Sequence, residues 1–334
     1  MLLGDKGLIL VTGASGFLGS YLADACRTVG HPVLGVDCRP PQRASLWADF
    51  CVAPCESASW ERFLENRDVR VVFHLAGSAS VPDSVRNPYE DFATSVPGTA
   101  RLLSHLAQHH PSTHLVFFSS AAVYGNPKVL PIDESTQVMP ISPYGIHKAT
   151  SEYLLQHYAR LHNLRTSILR VFSAFGPGLQ KQFFWDLGKR AFQAVALGEK
   201  SITLHGTGQE SRDFVYVTDI AKAALQVASR PGCPRCEVFN VGSGRETTTT
   251  EAASLLVKHL GADLRLMFNG AVRHGDPLNW CAETTKLSSI GFRPEVSLSE
   301  GITKVATWLK QYLGTDQKDD LNQSGARTGL HLNG

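Results

Sequence analysis

A chain of 334 residues, 43% hydrophobic and 19% charged, has the apolar content to bury the core of one large domain or of two interleaved ones. Its formal net charge of +2 is too small to mark nucleic acid or an anionic membrane as a partner. The longest apolar runs, such as Leu8–Thr12, fall far short of the roughly 20 residues that cross a bilayer. Residues 1–6 show no secretory pattern, and seven cysteines, an odd number, fit reduced thiols, so a cytoplasmic setting is expected.

Short β-branched runs alternate with longer amphipathic stretches. Leu8–Thr12 reads as a first strand, Phe17–Val29 as a helix and Pro32–Asp37 as a second strand. Val69–Leu75 reads as a further buried strand, and Pro88–His109 as a helix. His114–Ser119 and Ser167–Val171 read as strands on either side of a long helix over Pro143–His162. Strands alternating with helices predict an α/β, doubly wound parallel sheet. After Gly176-Pro177-Gly178 this rhythm breaks. Residues 1–175, with segments near 210–245 returning to them, are expected to form one domain, and 176–313 mainly a smaller C-terminal one. The polar stretch 314–334 lacks apolar periodicity and reads as a disordered tail. Cys233 and Cys236 have the spacing of half a zinc site. No second pair matches it, so free thiols in a surface loop are expected, and no metal.

Glycines at 13, 16 and 19 follow a strand and open a helix. The first allows a tight turn, the second lets the backbone approach phosphate, and the third brings helix and strand together. The helix N-terminus then faces an anion. Asp37 ends the second strand, where a carboxylate accepts from ribose hydroxyls and repels a 2′-phosphate. That favours NAD over NADP, although Arg39 stands two residues on.

Tyr144 and Lys148 lie four residues apart in a helical segment and share one face. A nearby ammonium and the positive nicotinamide both favour phenolate, so the Tyr144 pKa is expected to fall from its reference of about 10 toward working pH. A second Tyr-x-x-x-Lys pair, Tyr124 and Lys128, contains Gly125 and Pro127 and is no helical turn. The strand ending in Ser119-Ser120 places hydroxyls where ligands gather in open α/β sheets. Ser120 is the expected partner of Tyr144, with Ser119 its competitor.

With these motifs the chain resembles the extended short-chain dehydrogenase/reductases of the nucleotide-sugar epimerase/dehydratase family, close in pattern to UDP-glucose 4-epimerases. The likeness runs from Leu8 to about Leu313. It includes Phe73-His74-Leu75-Ala76-Gly77, Ser119 to Gly125, Ser142 to Lys148, Arg170 to Gly178, Arg212 to Asp219 and Phe239 to Gly244. The resemblance implies a Rossmann-type sheet with a smaller substrate-binding domain, a bound NAD, a nucleotide-sugar substrate, and a homodimer through the Pro88–His109 and Pro143–His162 helices.

It implies residue roles as well. Ser120, Tyr144 and Lys148 would be catalytic. Gly13, Gly16, Phe17, Leu18, Gly19, Asp37, Leu75, Ala76 and Gly77, with Tyr144 and Lys148, would hold NAD, and Asp49 and Phe50 would contact adenine. Ser84, Ser120, Tyr144 and Ser173 would serve the substrate. Arg212 and Arg273 would grip its diphosphate, and Asp276 would meet a ribose hydroxyl or orient Arg273. Relatives usually carry Asn where this chain has Ser95 and Ser173. Dehydratases carry Asp-Glu where Ala121 and Ala122 stand.

The expected reaction is therefore epimerisation at C4 of a nucleoside-diphosphate hexose, UDP-glucose/UDP-galactose type first. A nucleotide-4-keto-sugar reductase using NAD(P)H is the alternative, ahead of a dehydratase or a non-catalytic NAD-binding protein.

Overall fold

The computed structural model describes residues 7–230, 235–271 and 277–327. In chain order the first half forms β1 (Leu8–Thr12), α1 (Phe17–Thr28), β2 (Val33–Asp37), β3 (Asp49–Val52), α2 (Trp60–Phe63), β4 (Val69–His74), α3 (Val81–Arg86), α4 (Pro88–His109), β5 (His114–Ser120), α5 (Pro143–His162) and β6 (Arg165–Val171). A seventh strand, Cys236–Val241, pairs with β6. The sheet order is Cys236–Val241, β6, β5, β4, β1, β2, β3, and every pairing is parallel.

Strand periodicity explains why this sheet is covered on both faces. Successive side chains point to opposite sides. Ile9 and Val11 of β1 join one core with Phe73, Val116, Leu169, α1 and the Val217–Ala228 helix. Leu10 joins the other with Val72, Leu115, Phe117, Ile168, α4 and α5. Both faces being apolar, the strands read as continuous hydrophobic runs.

Chain direction across the sheet reverses between β1 and β4. Strands β2 and β3 lie to one side of that point, and β5, β6 and Cys236–Val241 to the other. The crevice beyond the strand C-termini there is the natural ligand site of an open α/β sheet. Thr12 and His74, the last residues of β1 and β4, face each other across it.

Two strands escape local pattern reading. Strand β3 is a half-exposed edge strand with a charged first residue, so it lacks the apolar signature of its neighbours. Cys236–Val241 arrives from a distant segment, and Cys236 opens this strand rather than lying in a surface loop. Cys233 lies outside the described residues.

By contacts the chain divides into two units. The first comprises Met1–Ala174, Ser211–Glu246 and Arg273–Glu295. The second comprises Phe175–Glu210, Thr247–Val272 and Val296–Gly334. The second unit holds the helices Gln182–Ala196, Thr249–Leu260 and Leu298–Arg327, and a parallel strand pair, Ser201–Leu204 with Arg265–Phe268. The Thr248 hydroxyl caps the Thr249–Leu260 helix by accepting from Glu251 N at 3.1 Å. The closing helix runs through Arg327, into the stretch whose polarity reads as a tail. Residues 315–327 contain no proline, so no backbone donor is lost and helical bonding continues where the apolar pattern stops.

Candidate active site

The loop from β1 into α1 is shaped by absent side chains. Gly13 adopts φ +70°, and a Cβ there would lie 2.8 Å from the Ala76 nitrogen. A Cβ on Gly19 would lie 2.3 Å from the Gly13 carbonyl oxygen, so the third glycine lets helix and loop touch. Helix α1 begins at Phe17 and Leu18 behind Gly16, and no side chain caps it. Its first N–H groups point at the crevice mouth, as an anion requires. Asp37 is buried at the end of β2. Its Oδ2 accepts from Ser15 N at 3.0 Å and its Oδ1 from Arg39 N at 2.9 Å. The carboxylate is thereby held beside the glycine loop. Asp49 on β3 pairs with Arg67 at 2.5 Å, which holds its carboxyl below the usual range. Phe50 packs edge-on against Trp47 at 5.3 Å.

Behind this loop lies a buried polar chain. The Thr99 hydroxyl donates to Ser95 O at 2.8 Å, so the His74 ring must donate from Nε2 to Thr99 at 2.9 Å. His74 Nδ1 then accepts from the Thr12 hydroxyl at 2.6 Å, and Thr12 accepts from Ala76 N at 3.2 Å. Burial pushes the His74 pKa down to about 3, which keeps the ring neutral. Leu75 N donates to Thr12 O at 3.1 Å. Gly77, at φ +124°, backs onto Ser95, whose hydroxyl accepts from Ser78 N at 3.1 Å. Ser95 thus supports the loop after β4.

The C-terminal end of β5 and the first turns of α5 meet next to this crevice. Strand alternation separates the two candidate serines. Ser119 points toward α5 and donates to Glu152 Oε1 at 2.5 Å. Glu152 is itself paired with Arg170 at 2.7 Å, both nearly fully buried. Ser120 points the other way. It accepts from Ala122 N at 3.2 Å and hydrogen-bonds the Tyr144 phenol. Lys148 is buried, donates from Nζ to Phe118 O at 3.0 Å, and lies 5.8 Å from the Tyr144 ring centroid.

In the protein alone the Tyr144 pKa is raised rather than depressed. Burial pushes the phenol up to about 12, the Ser120 hydrogen bond opposes this, and the Asp91 charge adds to it.

Substrate candidates are placed unevenly. Ser84 is fully buried and does not offer an open hydroxyl to a sugar. It donates to Val81 O at 2.8 Å and accepts from Tyr144 N at 3.0 Å. Ser173 is half-buried, with its N–H donated to Asp213 O at 2.9 Å. Arg212 donates to Ser211 O at 2.8 Å and lies over the Trp280 ring at 5.6 Å. Arg273 and Asp276 lie outside the described residues. Asp213, which beside Arg212 reads as an exposed ion-pair partner, is instead buried. It accepts from Ser243 N, the Ser243 hydroxyl, Gly244 N and Ala282 N.

Sequence reading missed the Thr12–His74–Thr99 chain, the Ser119–Glu152–Arg170 cluster and a contact between Asp91 and His147. A signal existed for Asp91. It falls on the buried stripe of α4 with Ser95, Thr99, Leu102 and Leu106, an apolar position for a carboxylate.

The residues present fit a dinucleotide: a loop that side chains would block, an uncapped helix start and a fixed carboxylate at the end of β2. Comparisons agree. The model of the NAD dependent epimerase/dehydratase family matches residues 9–242. A UDP-glucose 4-epimerase of Mycolicibacterium smegmatis is 32% identical over 313 residues, covering 90% of this chain and 98% of that protein. The crystal structure of a Thermotoga maritima UDP-glucose 4-epimerase with UDP-glucose superposes with a TM-score of 0.82 at 31% identity, over 92% of this chain and 99% of that one. MoeE5 in complex with UDP-glucuronic acid and NAD gives a TM-score of 0.82 at 30% identity, over 92% and 100%. This chain belongs to the NAD dependent epimerase/dehydratase family, as an extended short-chain dehydrogenase/reductase whose cofactor is NAD.

Proposed function

We propose that the protein inverts C4 of a nucleoside-diphosphate hexose, with UDP-glucose and UDP-galactose as the first pair to test. The observation that carries this reading is the grouping of Ser120, Tyr144 and Lys148 beyond the sheet edge, followed by Ala121 and Ala122. NAD, when bound, accepts a hydride from the sugar and returns it. As the phenolate, which Lys148 and the positive nicotinamide favour, Tyr144 Oη takes the C4 hydroxyl proton and later gives it back, and Ser120 Oγ hydrogen-bonds that oxygen. Lys148, anchored on Phe118 O, sets a fixed positive charge beneath the tyrosine ring. Positioned acid–base transfer of this kind contributes about 10²–10⁴ in rate. Ala121 and Ala122 carry no group able to drive loss of water, which argues against dehydration.

Glycine loop residues 13, 16 and 19, with Phe17, Leu18, Asp37 and residues 75–77, are assigned to the cofactor. Arg212 and Arg273 are assigned to the substrate diphosphate, because forked guanidinium donors match phosphate oxygens. Relatives named for UDP-glucose, and one bound to UDP-glucuronic acid, support a UDP-sugar. A homodimer is proposed through α4 and α5, which expose Tyr89 (75%), Tyr153 (67%) and Leu161 (59%). A cytoplasmic setting completes the reading; among the described residues no helix is long and apolar enough to cross a membrane.

The decisive experiment incubates the protein with UDP-glucose in deuterated water and follows the sugar ring by NMR. Inversion at C4 without solvent deuterium at C4 or C5 is expected. A 4-keto-6-deoxy product, or deuterium at C5, overturns the reading. Turnover only with added NAD(P)H moves it to the 4-ketoreductase.

A further inference from the structure

Asp91 stands in the first turn of α4, where a carboxylate ordinarily faces water and the helix dipole. Here it turns inward and is only 4% exposed. Its Oδ2 accepts from His147 Nδ1 at 2.5 Å, and its Oδ1 has no hydrogen-bond partner among the described residues. A buried carboxylate with an idle oxygen is costly, so packing alone gives no reason to keep one here.

His147 supplies the link to chemistry. It lies three residues after Tyr144 and one before Lys148 on α5, with its ring edge-on to Phe92 at 5.6 Å. Positions three apart share a helix face, so the pair flanks the side of α5 that carries Tyr144.

The charged and polar neighbours of the phenol come from four elements. On α5 itself, Lys148 is the cation at 5.8 Å from the ring, while Glu152 is tied to Arg170 and Ser119. From β5 comes the Ser120 hydroxyl. From α3, Ser84 bonds the Tyr144 backbone, while Asp83 and Arg86 pair with each other at the surface. From α4 comes Asp91, the carboxylate whose charge reaches the phenol and raises its proton affinity.

We propose that Asp91 and His147 are a positioning pair for proton transfer at Tyr144: the buried carboxylate of α4 and the imidazole of α5 tie the two helices together one turn from the tyrosine. The inference rests on Tyr144 being the proton carrier assigned above. Its consequence is a division of labour, with Lys148 favouring ionisation and Asp91 opposing it.

The test is the pH dependence of turnover in the NAD-loaded protein, with Asp91→Asn, His147→Ala and Tyr144→Phe compared with the parent. Alongside it, the phenolate absorbance attributable to Tyr144 is read as the difference from Tyr144→Phe. Asp91→Asn is expected to lower the acid midpoint of both by about one pH unit, the size of shift that a single nearby charge produces. Plateau turnover should fall a few-fold, because the base is weaker. His147→Ala frees the carboxylate from the imidazole that fixes it and is expected to displace the midpoint as well. It serves if Asp91→Asn does not fold. Midpoints unchanged in both variants, with Tyr144→Phe inactive, overturn the pair's role and leave the tyrosine's intact. Turnover surviving in Tyr144→Phe overturns both.

Discussion

The Ser84 hydroxyl accepts from the Tyr144 backbone N–H at 3.0 Å and donates its own proton to Val81 O at 2.8 Å. Helix α3 thereby fixes the turn of α5 that carries Tyr144. Ser84→Ala strips partners from two groups around a fully buried site, at a cost of about 1–3 kcal/mol. We expect a lower Tm and a several-fold fall in kcat, with NAD content unchanged. Calorimetry, steady-state kinetics and assay of released nucleotide check the three together.

Tyr144→Phe should keep the fold and its NAD while losing on the order of 10²–10⁴ in turnover. The circular dichroism spectrum and the bound nucleotide serve as controls. Near-parental turnover would remove the phenol from the mechanism.

Ser119 and Ser120 should separate cleanly. Ser120→Ala removes the hydroxyl that bonds the phenol and is expected to cost at least tenfold in kcat. Ser119→Ala removes one donor to Glu152, which keeps its Arg170 partner. A stability loss of about 1 kcal/mol with little change in kcat is expected. Kinetics and urea unfolding of the two variants side by side decide it, and the reverse ordering would reassign the site.

Acid should unfold the protein through buried histidines. Burial pushes His74 and His114 each down to about 3 from a reference of 6.5. Their folded pKa values lie below the unfolded one, so the unfolded chain takes up the protons first. Their stability contribution is intact above pH 6.5 and is lost as pH falls toward 3, at about 1.4 kcal/mol per pH unit for each ring. Urea unfolding across pH 4–7 should show this slope, and His114→Gln should make it shallower by one proton. An unchanged slope in that variant would mean that His114 is not neutral in the fold.

Asp37 should set cofactor choice. Its carboxylate is held by Ser15 N and Arg39 N, so it cannot swing away from a 2′-phosphate. NAD is expected to bind at least about tenfold tighter than NADP, and Asp37→Ala should narrow that gap. Calorimetric titration with both cofactors measures it.

The sheet was legible because β1, β4, β5 and β6 are apolar on both faces and leave an unmistakable run of buried residues. Strand β3 was not, because an edge strand with one wet face carries half the signal. The glycine loop and the Tyr144/Lys148 pair could be read directly, since backbone geometry and helical spacing dictate those residue types. Local sequence leaves open which of two adjacent serines faces the site; the structure turns the Ser119 hydroxyl to Glu152. Local sequence could not show that Ser84 and Asp213 are buried, because their partners, Tyr144 and Ser243, lie far along the chain. Spacing reveals the ammonium four residues from Tyr144, but not the burial that pushes the phenol up in the protein alone.

The His74 ring spans the point where the sheet changes direction, bonded to Thr12 on one side and Thr99 on the other. An imidazole is a flat, stiff body with nitrogens on opposite edges. It therefore works as a gauge block, setting the separation between the β1 loop and α4 by ring dimensions rather than by rotamer choice. A flexible amide of similar polarity would satisfy the same neighbours over a range of separations. The width of the dinucleotide crevice is thus built to a fixed tolerance before any ligand arrives.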